Sequence, residues 1–267
     1  MQTLSTVLKS SNELTYLKLN SKKSPSLSAQ AAGAFIALGG VASSIVAGSG
    51  FSFGITRILS GLVFSIGLIL VIFFGAELFT GNMTMVTALF DKPYLWKKLI
   101  PYLLWVYIGN WAGAFIFGNI AAYAGIPAMN NYLVGATAIK TMITKCTMSG
   151  ANMFWSGFMC NILVCAAVYM ARMSNSVCGK LVAAALPVFI FVMCGFEHCV
   201  ANIYYFTIGL RCCYIDECVK ILSDTYGMVI GDDIPFLIFK NLGLVTLGNI
   251  LGGVILSVFL QGEKGGD

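Results

Sequence analysis

Charged residues are scarce in this chain: Asp, Glu, Lys and Arg make up only 10% of its 267 residues, and hydrophobic residues make up 58%. Soluble domains carry roughly 25% charged residues. This shortage excludes a sizeable soluble domain and predicts an all-α protein that crosses a lipid bilayer several times. The formal net charge of +5 does not indicate nucleic-acid binding, because the basic residues are scattered between the apolar stretches.

Histidine is scarcer still, since His198 is the only one in the sequence. A single imidazole cannot build a metal site, and the nine cysteines show no ligand spacing. The sequence therefore predicts neither a metal site nor a cofactor, and it gives little support to an enzyme. Three cysteines fall in a predicted loop, where the sequence leaves their pairing open: Cys212, Cys213 and Cys218.

Six apolar stretches can span a bilayer as helices, which needs about 20 residues each. They lie near residues 29–49, 58–90, 101–124, 151–171, 180–210 and 236–260. With the N-terminus in the cytoplasm, ten basic residues lie on the inner side and six on the outer side, which is the usual bias. We therefore expect a multi-pass protein of the cell (inner) membrane, with a cytoplasmic segment 1–27, a membrane domain 28–261 and a cytoplasmic tail 262–267.

Spans two and five each contain a polar block with glycine, and the two blocks match. One reads Gly75-Ala-Glu77-Leu-Phe-Thr80-Gly-Asn82 and the other reads Gly195-Phe-Glu197-His198-Cys-Val-Ala-Asn202. Ionisable residues are costly at membrane depth and therefore mark functional sites. Matching interruptions predict two inverted three-helix repeats around one midplane site, with helices two and five broken at residues 78–81 and 194–197.

The side chains of these blocks suggest different roles. Glu77 and Glu197 would repel an anion, so we expect them to accept hydrogen bonds from the displaced backbone and to fix the breaks, with a proton relay as the alternative. Asn82 and Asn202 would close the breaks through side-chain-to-backbone bonds. His198 would act as a proton donor or as a cationic contact for a small anion.

Three further features accompany the blocks. Thr80 offers a hydroxyl at the first break. Lys140 and Lys145 precede span four, where either could attract anions, and the charge pattern does not choose between them. Spans three and six share the pattern Gly109-Asn110-Trp-Ala-Gly113 and Gly248-Asn249-Ile-Leu-Gly252; small residues at this spacing allow close helix contacts.

At these residues the chain resembles the formate/nitrite transporter family. The matching segments, in the family's order over all six spans, are the blocks quoted above that begin at Gly75, Gly109 and Gly195, together with Cys160-Asn161-Ile-Leu-Val-Cys165 and Thr246-Leu-Gly248-Asn249. The resemblance implies a homopentamer of aquaporin-like six-helix protomers with a separate pore in each protomer. It also implies small monovalent anions as substrates: formate, nitrite, hydrosulfide, or lactate and related acids.

The resemblance further implies roles for single residues. His198 matches the family's central pore histidine, and Thr80 matches the threonine on the loop that interrupts span two. Lys145 matches the lysine near that histidine, which favours it over Lys140. Asn249 matches an asparagine that lines the pore. Four apolar residues match constrictions on either side of the histidine: Leu68 and Phe191 on one side, and Phe79 and Val200 on the other.

The predicted function is the passage of small monovalent anions, with His198 protonating the anion so that a neutral acid crosses the apolar constrictions. The sequence Leu-Phe-Thr-Gly-Asn at residues 78–82 is closer to the nitrite and hydrosulfide branches of the family than to the formate branch. Hydrosulfide is therefore slightly favoured, with formate and nitrite close behind. The alternative is an aquaporin-like channel for neutral solutes, although the paired Asn-Pro-Ala blocks of aquaporins do not occur here.

Overall fold

The computed structural model describes residues 2–21 and 24–262. Three lysines counted above on the inner side, Lys22, Lys23 and Lys264, lie outside these residues, as does the predicted tail beyond residue 262. Within the described residues the chain forms twelve α-helices: α1 Leu4–Asn20, α2 Ser26–Ala47, α3 Phe53–Phe64, α4 Ile66–Phe73, α5 Ala88–Asp91, α6 Trp96–Tyr123, α7 Leu133–Cys146, α8 Gly150–Met173, α9 Val177–Cys194, α10 Cys199–Cys212, α11 Asp216–Tyr226 and α12 Ile234–Gly262. Short 3-10 helices cover Gly81–Thr87, Pro93–Leu95 and Ile126–Ala128.

Six helical segments of the described chain are long and apolar enough to cross a membrane. They are α2, Phe53–Phe73, Pro93–Tyr123, α8, α9 and α12. The prediction of an all-α protein with six spans is therefore confirmed. The second and fifth spans end earlier than the apolar pattern suggested, at Phe73 rather than near residue 90 and at Cys194 rather than near residue 210.

A glycine in the left-handed region follows each of these two helices. Gly75 has φ +63° just after α4, and Gly195 has φ +77° just after α9. A residue with a side chain rarely adopts this conformation, so glycine is suited to ending a helix in this way. The chain then continues without α-helix through residues 74–80 and residues 195–198 before the next helical turn begins.

The glycines of spans three and six mark close helix contacts. A Cβ placed on Gly113 of α6 would lie 2.0 Å from the Gln30 carbonyl oxygen of α2. A Cβ placed on Gly252 of α12 would lie 2.1 Å from the Phe158 carbonyl oxygen of α8. The predicted close contacts are confirmed, and they bring α2 against α6 and α8 against α12.

Two short helices, α7 and α11, were not predicted from the pattern of apolar stretches. The predicted loop around Cys213 is in fact short, because α10 runs to Cys212 and α11 begins at Asp216. Acidic residues in the first turn of α11 and a left-handed glycine after its last turn favour this helix. Cys218 is buried on its inner face, and all nine cysteines are free thiols.

The N-terminal helix α1 packs against the end of the bundle where α8 ends. Val7 and Leu8 are fully buried and form an apolar cluster with Tyr169 of α8. Asn12 donates a hydrogen bond to Asp91 Oδ2 (2.6 Å) and accepts one from the Thr87 hydroxyl (2.6 Å). These contacts place α1 over the face of the bundle at which α2 begins.

Candidate functional site

The two polar blocks meet at a buried pair of side chains, Thr80 and His198. Thr80 Oγ1 lies 2.8 Å from His198 Nε2, and the two residues are 0% and 3% exposed. The Ala201 N–H donates to His198 Nδ1 at 3.1 Å, which makes the imidazole the cap of α10. Because Nδ1 accepts this bond, the neutral ring carries its proton on Nε2 and donates it to the Thr80 hydroxyl.

Each buried carboxylate is neutralised by a lysine and bonded by an asparagine. Lys145 Nζ lies 2.6 Å from Glu197 Oε1, and the two side chains are 16% and 3% exposed. Asn202 donates to Glu197 Oε2 at 2.7 Å. A further asparagine, Asn241, accepts from the Asn202 amide at 2.8 Å and donates to the Lys145 carbonyl oxygen at 2.9 Å. These bonds fix the carboxylate and its lysine in one arrangement.

The same arrangement surrounds the other carboxylate. Lys18 Nζ of α1 lies 2.5 Å from Glu77 Oε1. Asn82 donates to Glu77 Oε2 at 2.8 Å. Both carboxylates thus receive hydrogen bonds from side chains, whereas the sequence suggested donors from the displaced backbone. Asn82 and Asn202 correspondingly bond carboxylates, and neither forms the predicted bond to a main-chain group within the described residues.

The displaced backbone groups are instead bonded by asparagines of the neighbouring spans. Asn249 Oδ1 accepts from the Cys199 N–H at 2.9 Å, and its amide donates to the carbonyl oxygens of Gly157 (2.7 Å) and Glu197 (2.9 Å). Asn249 is 0% exposed. Resemblance gave this residue a pore-lining role; its hydrogen bonds here all go to the main chain.

Asn110 performs the equivalent task for the first block. It accepts from the Phe79 N–H at 2.8 Å and donates to the carbonyl oxygens of Ala29 (2.7 Å) and Glu77 (2.8 Å). Serine hydroxyls accept from the main-chain N–H groups of the two glutamates. Ser28 accepts from the Glu77 N–H and Ser156 accepts from the Glu197 N–H, both at 3.1 Å. Buried backbone groups without such partners would be costly in an apolar environment.

Lys18, which pairs with Glu77, is a site residue that the sequence argument missed. Lys18 precedes Ser28 by ten residues, and Lys145 precedes Ser156 by eleven. A lysine ten or eleven residues before a serine near the start of spans one and four is the sequence signal shared by both sites. Lys18 lies in the segment 1–27, for which the sequence predicted only a cytoplasmic location.

A cavity of about 580 Å³ leads to His198 from the face opposite α1. The last turn of α2 borders it, as do α7 and the beginning of α3. Its walls contain three cationic side chains, those of Arg57, Lys140 and Lys145, and one carboxylate, that of Glu197. The cavity therefore has an excess of positive charge, which raises the local concentration of anions.

Apolar side chains surround the inner end of this cavity. The Phe191 ring lies parallel to the His198 ring, with centroids 5.9 Å apart and an interplanar angle of 16°. Phe64 packs edge-on against Phe191 at 6.0 Å. Of the remaining predicted constriction residues, Leu68 is 2% exposed, Phe79 is 4% exposed and Val200 is 0% exposed, all in the same apolar core.

Comparisons with known proteins give consistent results. The sequence profile described as Formate/nitrite transporter matches residues 6–261. The formate channel FocA of Haemophilus influenzae is 33% identical over 236 residues, which cover 86% of this chain and 82% of that protein. A probable formate transporter of Methanothermobacter thermautotrophicus is 35% identical over 243 residues, with 84% and 82% covered. A solved structure described as a pentameric formate channel with formate bound superposes with a TM-score of 0.77 at 32% identity, covering 88% of this chain and 94% of that chain.

Proposed function

Because the chain belongs to the formate/nitrite transporter family, as its motifs predicted, we propose that it conducts small monovalent anions through the site at Thr80 and His198. The family consists of channels and transporters, so the function is passage across a membrane rather than catalysis. One observation carries the proposal: a cavity with excess positive charge ends at the only histidine, which is hydrogen-bonded to the polar block of the other half.

The first step is the concentration of anions in the cavity. Lys145 is paired with Glu197 at 2.6 Å, so the pair contributes little net charge. Arg57 and Lys140 supply the remaining positive charge of the walls. An anion drawn inward then meets Phe191 and Phe64 at the inner end of the cavity, where a bare charge is strongly disfavoured.

The second step is protonation of the anion at His198: the doubly protonated ring gives one proton to the anion and returns to its neutral form, and a proton from the solvent restores the doubly protonated ring. A second proton on the ring would sit on Nδ1 and face the Ala201 N–H, which now donates to that atom. Two N–H donors would then face each other, which destabilises the doubly protonated ring. The ring therefore gives up its second proton readily. The neutral acid crosses the apolar residues, Leu68 and Phe191 on one side and Phe79 and Val200 on the other, at far lower cost than the anion.

The architecture we propose is an inverted repeat with broken helices two and five. The bonds around Glu77 recur around Glu197: a lysine and an asparagine bind each carboxylate, and a serine accepts from each main-chain N–H. Asn82 and Asn202 hold the two carboxylates at the breaks, and the positive-φ glycines end the two half-helices. Irregular backbone at membrane depth is tolerated when buried partners satisfy it, as they do here.

Formate is the first candidate substrate, because the relatives above are named for it. Nitrite and hydrosulfide are the other members of the proposed set, with protons moving alongside. We further propose a homopentamer in the cell (inner) membrane, with the segment 1–27 and the tail 262–267 cytoplasmic and the membrane domain 28–261 forming one pore per protomer. The cavity then opens to the outside.

The deciding experiment is a flux panel in proteoliposomes with formate, nitrite, hydrosulfide, lactate and chloride at pH 5.5 and pH 7.5. His198→Asn keeps a side-chain oxygen that can cap α10, whereas His198→Phe removes both the cap and the proton site. We expect both variants to lose the pH dependence of anion flux, and only the phenylalanine variant to lose stability as well. Unchanged pH dependence in the asparagine variant would disprove the relay, and water or glycerol flux without anion flux would favour a neutral-solute channel.

A further inference from the structure

The guanidinium of Arg57 lies in the wall of the cavity that leads to His198. Arg57 lies in the second turn of α3, and its Nε donates to the Met193 carbonyl oxygen near the end of α9 at 2.8 Å. A Cβ placed on Gly195 would lie 2.1 Å from Arg57 Nη2, so the guanidinium covers this glycine. The Phe53 ring lies 5.8 Å from its Cζ. Three contacts thus fix the plane of the group.

In the part of the chain that the structure describes, the two terminal nitrogens of this guanidinium have no hydrogen-bond partner. Within residues 2–21 and 24–262, the hydrogen bonds of Arg57 involve Nε alone, and no carboxylate forms an ion pair with it. The other cations of the cavity differ: Lys145 is paired with Glu197, and Lys140 rests 4.0 Å from the ring centroid of Tyr226. Arg57 is therefore the cavity cation with unused donors in a fixed plane.

A fixed guanidinium selects anions by shape as well as by charge. Its N–H groups form a planar fork that binds two oxygen atoms of one anion in parallel. Formate and nitrite present two oxygens on one atom and match this fork. Hydrosulfide and chloride present a single atom and gain only the attraction of the charge.

We propose that Arg57 is the docking residue for planar anions with two terminal oxygens, which it binds before they reach His198. The inference rests on the proposed function and adds to it a substrate class and a residue that sets selectivity. Because the fork is already held in place by Met193 and Gly195, little conformational entropy is lost when the anion binds. On this inference, formate and nitrite are preferred to hydrosulfide, contrary to the slight preference drawn from residues 78–82.

The test compares Arg57→Lys with the unmodified protein in concentration-dependent flux. The substitution keeps the positive charge and removes the fork. We expect the half-saturating concentration to rise about tenfold for formate and nitrite, because the variant loses one charge-assisted hydrogen bond to these anions. For hydrosulfide and chloride it should change less than twofold. Lys140→Gln is the control for charge. It should raise the half-saturating concentration of all four anions by a similar small factor.

Equal effects of Arg57→Lys on all four anions, or no effect on any, would overturn the docking role. Absence of anion flux in the unmodified protein would instead overturn the proposed function itself, so the two failures are distinguishable. If the variant fails to fold, the unmodified protein still decides: phenylglyoxal modifies free guanidinium groups, and mass spectrometry reports its reaction at Arg57. Formate and nitrite should slow that reaction and chloride at equal ionic strength should not, and equal protection by all three would contradict the proposal.

Discussion

At the residue scale, the contact between Thr80 and His198 joins the two halves of the molecule. Thr80→Val keeps the shape of the side chain but leaves the His198 Nε2–H without its acceptor. An unpaired buried donor costs about 1–3 kcal/mol. We expect a lower melting temperature in detergent and a reduced formate flux. Thr207→Val on α10 is the control, because it removes a buried hydroxyl that bonds only to the Ile203 carbonyl oxygen; the same flux in both variants would contradict a role for Thr80.

The two lysine–glutamate pairs allow a second comparison of single residues. Lys145→Met leaves Glu197, 3% exposed, as an uncompensated buried charge, which costs roughly 3–5 kcal/mol. Lys18→Met breaks a less buried pair, since the side chains of Lys18 and Glu77 are 30% and 9% exposed. The melting temperature should therefore fall further for Lys145→Met. Equal losses would show that burial does not determine the strength of these pairs.

Much of the site at this scale could be predicted from the sequence, because ionisable residues stand out in an apolar chain. His198, Thr80 and Lys145 were identified in this way or by resemblance. The pairing of Glu77 with Lys18 was not, because it joins residues 59 positions apart through a helix outside the spans. The tasks of Asn110 and Asn249 also required coordinates, since an asparagine in a span gives no sign of which backbone groups it will bond.

At the element scale, α12 contacts α8 through glycines, and the chain offers a matched pair of glycines in α12. A Cβ on Gly252 would lie 2.1 Å from a carbonyl oxygen, whereas a Cβ on Gly243 would meet nothing within 4 Å. Gly252→Ala should push the helices apart and lower the melting temperature. Gly243→Ala should be neutral or stabilise by up to about 1 kcal/mol, the difference in helix propensity. The same loss in both variants would contradict close contact as the cause.

The helix α1 is held mainly by side chains, so it can be loosened separately. Asn12→Ala removes the bonds to Asp91 and Thr87. We expect faster amide hydrogen exchange in residues 4–20, with little change in α8 or α12. Ser10→Ala is the control, because the Ser10 hydroxyl bonds only to the Val7 carbonyl oxygen within its own helix. Faster exchange in both variants would contradict docking through Asn12.

The six spans were predictable because about 20 apolar residues are a strong signal. Their exact ends were not, because apolar residues continue on both sides of the polar block at residues 75–82, whereas the α-helix already ends at Phe73. The helices α7 and α11 are short and partly polar, so hydropathy alone does not predict them. They nevertheless border the cavity, where Lys145 and Tyr226 come from these two helices.

At the scale of the whole molecule, the walls of the cavity that leads to His198 have an excess of positive charge. Lys140→Glu changes the charge of the cavity wall, whereas Lys220→Glu makes the same change at an exposed position on α11 outside the cavity. We expect the half-saturating concentration for formate to rise clearly only with Lys140→Glu. The difference should shrink as ionic strength rises, because salt screens the attraction. A similar rise in both variants would indicate that only the net charge of the protein matters.

The start of α10 depends on the same nitrogen that a proton would occupy during transport. When His198 Nδ1 takes up a proton, the Ala201 N–H loses its acceptor, and only the Asn249 side chain, which accepts from the Cys199 N–H, still caps the first turn of the helix. Each passage of an acid would thus briefly loosen a helix end beside the pathway. Faster hydrogen exchange of the Ala201 amide during acid flux would therefore report the protonation of the His198 ring.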